Sequence, residues 1–205
     1  MEKRKIKIAV MVSGGGTNLQ ALIDAQNSGI IKNGEIAMVI SNNPNAFALT
    51  RAENAGVPYF ILSHKQFESK KTYEKELIKI IDRNNIDLVV LAGFMYILTP
   101  VFVNHYKMRI LNIHPSLIPS FCGKGFYGLH VHEAALARGV KISGCTVHFV
   151  NEEPDGGPIV MQKAVSVHKN DTPEKLQQRI MVQGEWNIYP LSVEKVCGMI
   201  LEGEI

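Results

Sequence analysis

Through the first two thirds of this chain, apolar runs alternate with segments whose apolar residues recur at helical spacing. That alternation is the signature of β-α-β units, because parallel strands can be joined only by a crossover long enough to hold a helix. Ile6 to Val12 reads as the first strand, with a helix over Asn18 to Asn27 after it. Glu35 to Ile40 reads as the second, leading through Ser41-Asn42-Asn43-Pro44 into a helix over Ala46 to Ala55 that Gly56 closes in a left-handed cap. Val57 to Leu62, Asp87 to Leu91 and Ile110 to Ile113 supply further strands, with an amphipathic helix over Thr72 to Arg83. The Asp87 run is apolar after its first residue, so it belongs at the centre of the sheet, buried on both faces.

From Lys141 the pattern changes. Ile142 to Val150 and Pro158 to Val167 are extended runs joined by Asn151 to Gly157, too short a link for a helical crossover, so they read as an antiparallel pair at the sheet edge. Asp171-Thr172-Pro173-Glu174 opens a terminal helix that Pro190, having no N–H, is expected to end or kink. The expected class is α/β: a Rossmann-like open sheet, mostly parallel, with antiparallel strands at its C-terminal edge. A chain of 205 residues, 46% hydrophobic and 20% charged, suits one domain over 1–205 with a sizeable core.

A net charge of +3 with Lys and Arg interrupted by Asp and Glu argues against a nucleic-acid surface and fits an anionic small substrate. Cys122, Cys145 and Cys197 are odd in number and at no metal-ligand spacing, which reads as reduced thiols in a cytoplasmic protein. The start, Lys3 to Lys7 and then Ile8 to Val12, is too short for a signal peptide and stops at Ser13-Gly14-Gly15-Gly16 without a cleavage site. No run approaches the roughly eighteen apolar residues of a membrane span, so no membrane partner is expected.

Asn112-Ile113-His114-Pro115 puts a carboxamide and an imidazole on one face of a strand just as Pro115 ends it. In an open α/β sheet the carboxyl ends of strands are where ligands bind, although the same residues would also serve a local turn. Ser13-Gly14-Gly15-Gly16-Thr17-Asn18-Leu19 falls between the first strand and its helix, where free backbone N–H groups and the helix dipole suit a phosphate, or where three glycines make only a tight turn. Leu19 replaces the third glycine of a dinucleotide fingerprint and no acidic residue ends the second strand, which excludes NAD, and the lack of G-K-[ST] excludes a Walker loop. Asp155-Gly156-Gly157-Pro158 is ordinary turn chemistry, yet a loop beside the Asn112 strand would bring a carboxylate to His114 and favour its protonated form. Amide, imidazole and carboxylate suit acyl transfer: donors for an oxyanion and an acid–base pair for the proton of an attacking amine. Ser116 and Thr146 lack a partner base, so direct transfer is preferred to an acyl-enzyme. His130, His132 and His148 with Cys122 and Cys145 match no zinc spacing, and His130 and His132 read as polar residues near the start of a helix through Arg138. Leu88 to Leu98 ends in an apolar, aromatic loop that is either core or a slot for a flat heteroaromatic ring.

S-G-G-G-T-N-L at Ser13 to Leu19, L-A-G-F-M at Leu91 to Met95, L-N-I-H-P-S-L at Leu111 to Leu117, T-V-H-F-V at Thr146 to Val150 and D-G-G-P at Asp155 to Pro158 occur together over nearly the whole length. In these motifs the chain resembles the folate-dependent glycinamide ribonucleotide formyltransferases of bacterial purine synthesis. The resemblance implies the formyltransferase fold and transfer of a formyl group from 10-formyltetrahydrofolate, a co-substrate, to the amine of glycinamide ribonucleotide, with no metal. It implies Asn112, His114 and Asp155 as the catalytic trio, Gly16, Thr17 and Asn18 at the substrate phosphate, and Glu185 at the glycinamide end. Lys70, Met95, Tyr96, Ile97, Leu98 and Asn112 would meet the folate, and Thr146 would keep a hydroxyl near the catalytic strand. Residues 1–100 would then form the phosphate-binding half and 101–205 the catalytic and folate-binding half. Lys70 and Tyr96 stand where some members have arginine, and the connection from Phe121 to Gly128 is longer than in the shortest relatives. Methionyl-tRNA formyltransferases carry a C-terminal RNA-binding domain for which 205 residues leave no expected room. Formyltetrahydrofolate deformylases are disfavoured because the core is expected to start almost at Met1 and Pro115 rather than a second histidine follows His114, and a sugar-nucleotide N-formyltransferase is disfavoured by the phosphate loop. The expected partners are small molecules only, with the protein a monomer or homodimer.

Overall fold

The structure, a computed structural model, describes residues 4–205, so Lys3 of the basic start lies outside the described residues. The elements run β1 (Ile6–Val12), α1 (Thr17–Asn27), β2 (Gly34–Ser41), α2 (Phe47–Asn54), β3 (Tyr59–Ile61), α3 (Lys70–Arg83), β4 (Leu88–Leu91), α4 (Pro100–His105), β5 (Ile110–His114), α5 (Leu129–Arg138), β6 (Ile142–Phe149), β7 (Ile159–Ser166), α6 (Pro173–Ile180) and α7 (Trp186–Glu202). They build one seven-stranded sheet in the order β3-β2-β1-β4-β5-β6-β7. The first five strands are parallel, while β6 pairs antiparallel with β5 and β7 antiparallel with β6.

Alternation along the central strands divides the core between the two faces of the sheet. Ile6, Ile8, Val10 and Val12 of β1 pack with α1, α2 and α7, whereas Ala9 and Met11 pack with Tyr73, Leu77 and Ile81 of α3 and Phe102 of α4. All four residues of β4 are buried, as expected of a strand covered on both sides. Helix α3 starts two residues before the sequence reading because Ser69 and Thr72 form a reciprocal capping box, with the Thr72 N–H donating to Ser69 Oγ at 3.1 Å. Gly56 is left-handed (φ +67°) after α2, as read.

The terminal helix departs from expectation. Pro190 neither ends nor breaks it, for α7 continues to Glu202. The irregularity lies earlier, in a π-turn over Met181–Glu185 that links α6 to α7. The widened turn ends one helical turn before Pro190, and the Asn187 amide donates to the Val182 carbonyl at 2.9 Å. Gly184 lies so close to β6 that a Cβ there would stand 2.7 Å from Cys145 Sγ. The wide turn and its glycine bring the next residue, Glu185, to face α1.

Candidate active site

Three loops leave the carboxyl ends of β1, β4 and β5 at one edge of the sheet. The first, Ser13 to Gly16, is held by its carbonyls. Gly14 O accepts from the Ala48 N–H at 3.0 Å, Gly15 O from Arg51 Nε at 2.9 Å and Ser13 O from Asn43 Nδ2 at 3.1 Å. Gly16 is left-handed (φ +71°), and a Cβ there would meet Ala48 Cβ at 2.6 Å, so the turn needs glycine both for conformation and for space. No side chain caps α1 and no acidic residue lies in its first turn, which leaves N–H groups and a positive dipole end at this place.

The second loop carries Met95 to Leu98 over a cleft of about 560 Å³. Met95 and Ile97 are 58% and 66% exposed, an unusual state for large apolar side chains beside a cleft. Tyr96 turns instead onto Tyr73 and His64, with ring centroids 5.0 and 5.3 Å away, and Lys70 Nζ stands 5.5 Å from the Tyr96 centroid. Burial, with the Glu74 carboxyl adding to it, pushes the Tyr96 phenol up to about 12. The Met95 N–H donates to Ser13 Oγ at 2.7 Å, which ties this loop to the glycine loop.

At the end of β5, Asn112 and His114 share the face predicted for them and line the same cleft. Their neighbours on β6 follow from register: Asn112 opposite His148 and His114 opposite Thr146. The Thr146 hydroxyl donates to Ser116 O at 2.7 Å and accepts from the Ile118 N–H at 3.1 Å, so it pins the segment that follows His114. The connection after β6 folds back over this face. Asp155, left-handed at φ +58°, sets Oδ2 3.5 Å from His114 Nδ1 and Oδ1 3.6 Å from His148 Nε2, and Oδ2 also accepts from the Gly123 N–H at 2.9 Å.

The electrostatics correct one expectation. Asp155 does favour the charged His114 ring, but burial outweighs it, and the net direction of the His114 pKa is down. Burial alone would raise the Asp155 pKa; contacts with His148, His114 and the Gly123 N–H together hold it below the ordinary value. His114 Nε2 lies 2.8 Å from Phe121 O, which can only accept, so that nitrogen carries a hydrogen and any added proton enters at Nδ1, facing Asp155.

Glu185 is buried opposite Asn18, whose Nδ2 donates to its Oε2 at 2.8 Å, and burial raises its pKa against the pull of that bond. Asn18 and Glu185 line the cleft with Asn112, His114, Asp155 and the 95–98 loop. Gly16, Thr17 and Lys70 do not line this cleft: Thr17 lines a separate pocket with Gln20, Arg51 and Trp186, and Lys70 meets the cleft only through the Tyr96 ring.

Two histidines differ from their sequence reading. His132 lies near the start of α5, as read, but it is fully buried there, with both ring nitrogens unpartnered among the described residues. Burial and the charge of nearby His114 push its pKa down to about 4. His148, which matches no zinc spacing in the sequence, lies between Asn112 and Asp155. The signal was T-V-H beside N-I-H: alternation puts Thr146 and His148 on one face, although only the register shows which residue each one meets. Among the described residues no group of three metal-ligating side chains comes together.

An apolar cleft lined by an amide and by an imidazole paired with a carboxylate holds the hydrogen-bond donors and the acid–base pair that suit acyl transfer. The chain belongs to the formyl transferase family, whose model matches residues 6–193. Within that family it is similar to phosphoribosylglycinamide formyltransferase of Escherichia coli, 46% identical over 92% of this chain and 85% of that protein. It is also 41% identical, over 99% of its own length but 20% of the partner's, to the human trifunctional purine biosynthetic protein adenosine-3. Among solved structures, glycinamide ribonucleotide transformylase 1 from Symbiobacterium toebii superposes with a TM-score of 0.89 at 40% identity, covering 98% of this chain and 90% of that one.

Proposed function

We propose that this chain transfers the formyl group of 10-formyltetrahydrofolate to the amine of glycinamide ribonucleotide, giving formylglycinamide ribonucleotide and tetrahydrofolate in purine biosynthesis. The observation that carries this reading is the meeting of Asn112, His114 and Asp155 in one cleft that runs from the exposed apolar 95–98 loop to Asn18 and Glu185. The pterin lies against Met95, Ile97 and Leu98, with Lys70 and Tyr96 at the rim. The substrate phosphate takes the N–H groups from Gly16 to Asn18. Glu185 accepts a hydrogen bond from the glycinamide amine, a role its burial and its bond to Asn18 support.

The amine nitrogen attacks the formyl carbon, and a tetrahedral intermediate forms with its charge on the former carbonyl oxygen. The Asn112 amide and the protonated His114 stabilise that oxygen. Asp155 favours a proton at His114 Nδ1 against the opposing effect of burial, and the proton lost by the attacking nitrogen reaches the folate N10 through this carboxylate–imidazole pair as the C–N10 bond breaks. The chemistry requires no metal. In this reading residues 1–100 chiefly hold the phosphate and 101–205 carry catalysis and folate contacts, and the protein works in the cytoplasm on small molecules as a monomer or homodimer. No described helix is long and apolar enough to cross a membrane.

The test is a spectroscopic assay of the purified protein with glycinamide ribonucleotide and 10-formyl-5,8-dideazafolate. Formation of the deformylated folate together with formylated ribonucleotide is expected. Loss of formyl to water alone, or transfer only to a sugar nucleotide, would overturn the reading.

A further inference from the structure

We infer that His148 is a positioning residue that sets which end of the Asn112 carboxamide faces the reacting centre. The inference rests on the formyl transfer proposed above and adds a residue to it. An asparagine amide can turn over about its last bond, presenting either NH2 or C=O at nearly the same place. Only NH2 stabilises an oxyanion; C=O would repel it. A site that relies on this amide needs something to hold it one way.

His148 has the geometry to do so. It is 1% exposed on β6, directly opposite Asn112 in the antiparallel ladder. Its Nδ1 lies 2.9 Å from the Phe149 carbonyl oxygen, which can only accept, so Nδ1 carries the hydrogen. In the neutral ring this leaves Nε2 with a bare lone pair, an acceptor. Asn112 Nδ2 is 3.2 Å from that lone pair and donates to it. The opposite orientation would set the amide oxygen against the lone pair, two acceptors with no hydrogen between them. One N–H of Asn112 is thus committed to His148, and the second remains for the substrate oxygen. Asp155 Oδ1, 3.6 Å from the same Nε2, competes with the amide, since a hydrogen on Nε2 would turn toward that carboxylate; the closer approach of the Asn112 amide is the contact that favours the bare lone pair. The chain of constraint therefore runs from a backbone carbonyl to a ring tautomer, from the tautomer to an amide, and from the amide to the oxyanion.

The test is a double-mutant cycle with a spectroscopic check. His148→Leu removes both ring nitrogens, while His148→Gln restores an acceptor near the Nε2 position. Losing one oxyanion donor costs about a hundredfold to a thousandfold in rate. His148→Leu is expected to lower kcat by at least about tenfold, with the KM of each substrate within about threefold, and His148→Gln to recover most of the loss. In an Asn112→Ala background, His148→Leu should cost nothing further, because its effect passes through that amide. Fully additive losses, or a kcat within threefold of wild type for His148→Leu when Asn112→Ala is severely impaired, would overturn the inference. Should the leucine variant fail to fold, long-range proton–nitrogen NMR of the wild-type ring decides. Hydrogen on Nδ1 with a bare Nε2 is required, and a hydrogen on Nε2 refutes the assignment. Absence of formyl transfer by the wild-type protein would count against the proposed reaction alone, since the ring spectrum is read without turnover.

Discussion

Replacing Asp155 by Asn should uncouple the protonation of His114 from the reaction without disturbing the loop that carries it. The substitution suits the site: asparagine tolerates the left-handed backbone at φ +58°, and its amide oxygen can still accept from the Gly123 N–H. What is lost is the negative charge 3.5 Å from His114 Nδ1. At an effective dielectric constant of about 20, a charge pair at that distance attracts by about 5 kcal/mol; with water reaching the carboxylate, about 2 kcal/mol surviving corresponds to about thirtyfold in the protonation equilibrium. Burial already disfavours the imidazolium, so nothing compensates for the loss. The His114 titration, followed by NMR of the ring, should move to lower pH in the variant. Turnover near pH 7 should fall by about thirtyfold to a hundredfold, within the range of general acid–base catalysis. It should also go on rising by about tenfold for each unit of acidification past the pH, itself below the ordinary imidazole range, at which the wild-type rate levels off, because acid restores the missing protonated form. A His114 titration that does not move, with turnover within a few-fold of wild type, would refute the reasoning and leave Asp155 as a turn residue.

Three further outcomes are expected. Gly16→Ala imposes a left-handed alanine and a Cβ 2.6 Å from Ala48, so we expect a loss of about 2–4 kcal/mol in chemical denaturation and weaker ribonucleotide than folate binding by calorimetry; equal weakening of both ligands would move the phosphate elsewhere. Glu74, fully buried in α3, accepts from the Thr99 N–H at 2.7 Å and from the Thr99 hydroxyl, anchoring the end of the 95–98 loop; Glu74→Ala should raise the folate KM about tenfold and leave the ribonucleotide KM unchanged, and a parallel rise in both would show mere destabilisation. His132 has its folded pKa pushed down to about 4, so the stability it allows is full above its unfolded pKa of about 6.5 and drains away as pH falls toward 4. At about 1.4 kcal/mol per unit that is up to about 3 kcal/mol, and denaturation of His132→Leu should show a pH slope shallower than wild type over that window, an identical slope being the contrary result.

The central parallel strands β1 and β4 were legible because they are buried on both faces and therefore appear as nearly unbroken apolar runs, while the edge strand β3 is exposed. Ile6–Val12 and Leu88–Leu91 needed nothing beyond hydrophobicity and length. The short α4 after Pro100 was hidden in the apolar stretch that precedes it, since six residues are too few to establish a helical period. Pro190 misled for a different reason. A proline removes one hydrogen bond of the ladder, but the buried face of α7, with Ile188, Tyr189, Val193 and Val196, carries the helix through it, and that packing belongs to tertiary structure.

The site divides along the same line. Asn112 and His114 could be placed on one face by counting two along a strand, and Pro115 marked where that strand stops. His148 and Glu74 could not, because their partners are set by register and by helix packing: Asn112 opposite His148, and Thr99 against α3. Asp155 stands between these cases. Its turn chemistry and its catalytic reading were alternatives in the sequence, but the geometry makes them compatible in one residue. The left-handed residue that closes the turn is the residue whose carboxylate is swung back over β5 and β6, where it meets His114 and His148 within 3.6 Å. An extended backbone at that position would carry the side chain away from both rings. The small polar residue that tolerates such a backbone is also one that can carry the charge, so a signal of ordinary loop structure was never evidence against function.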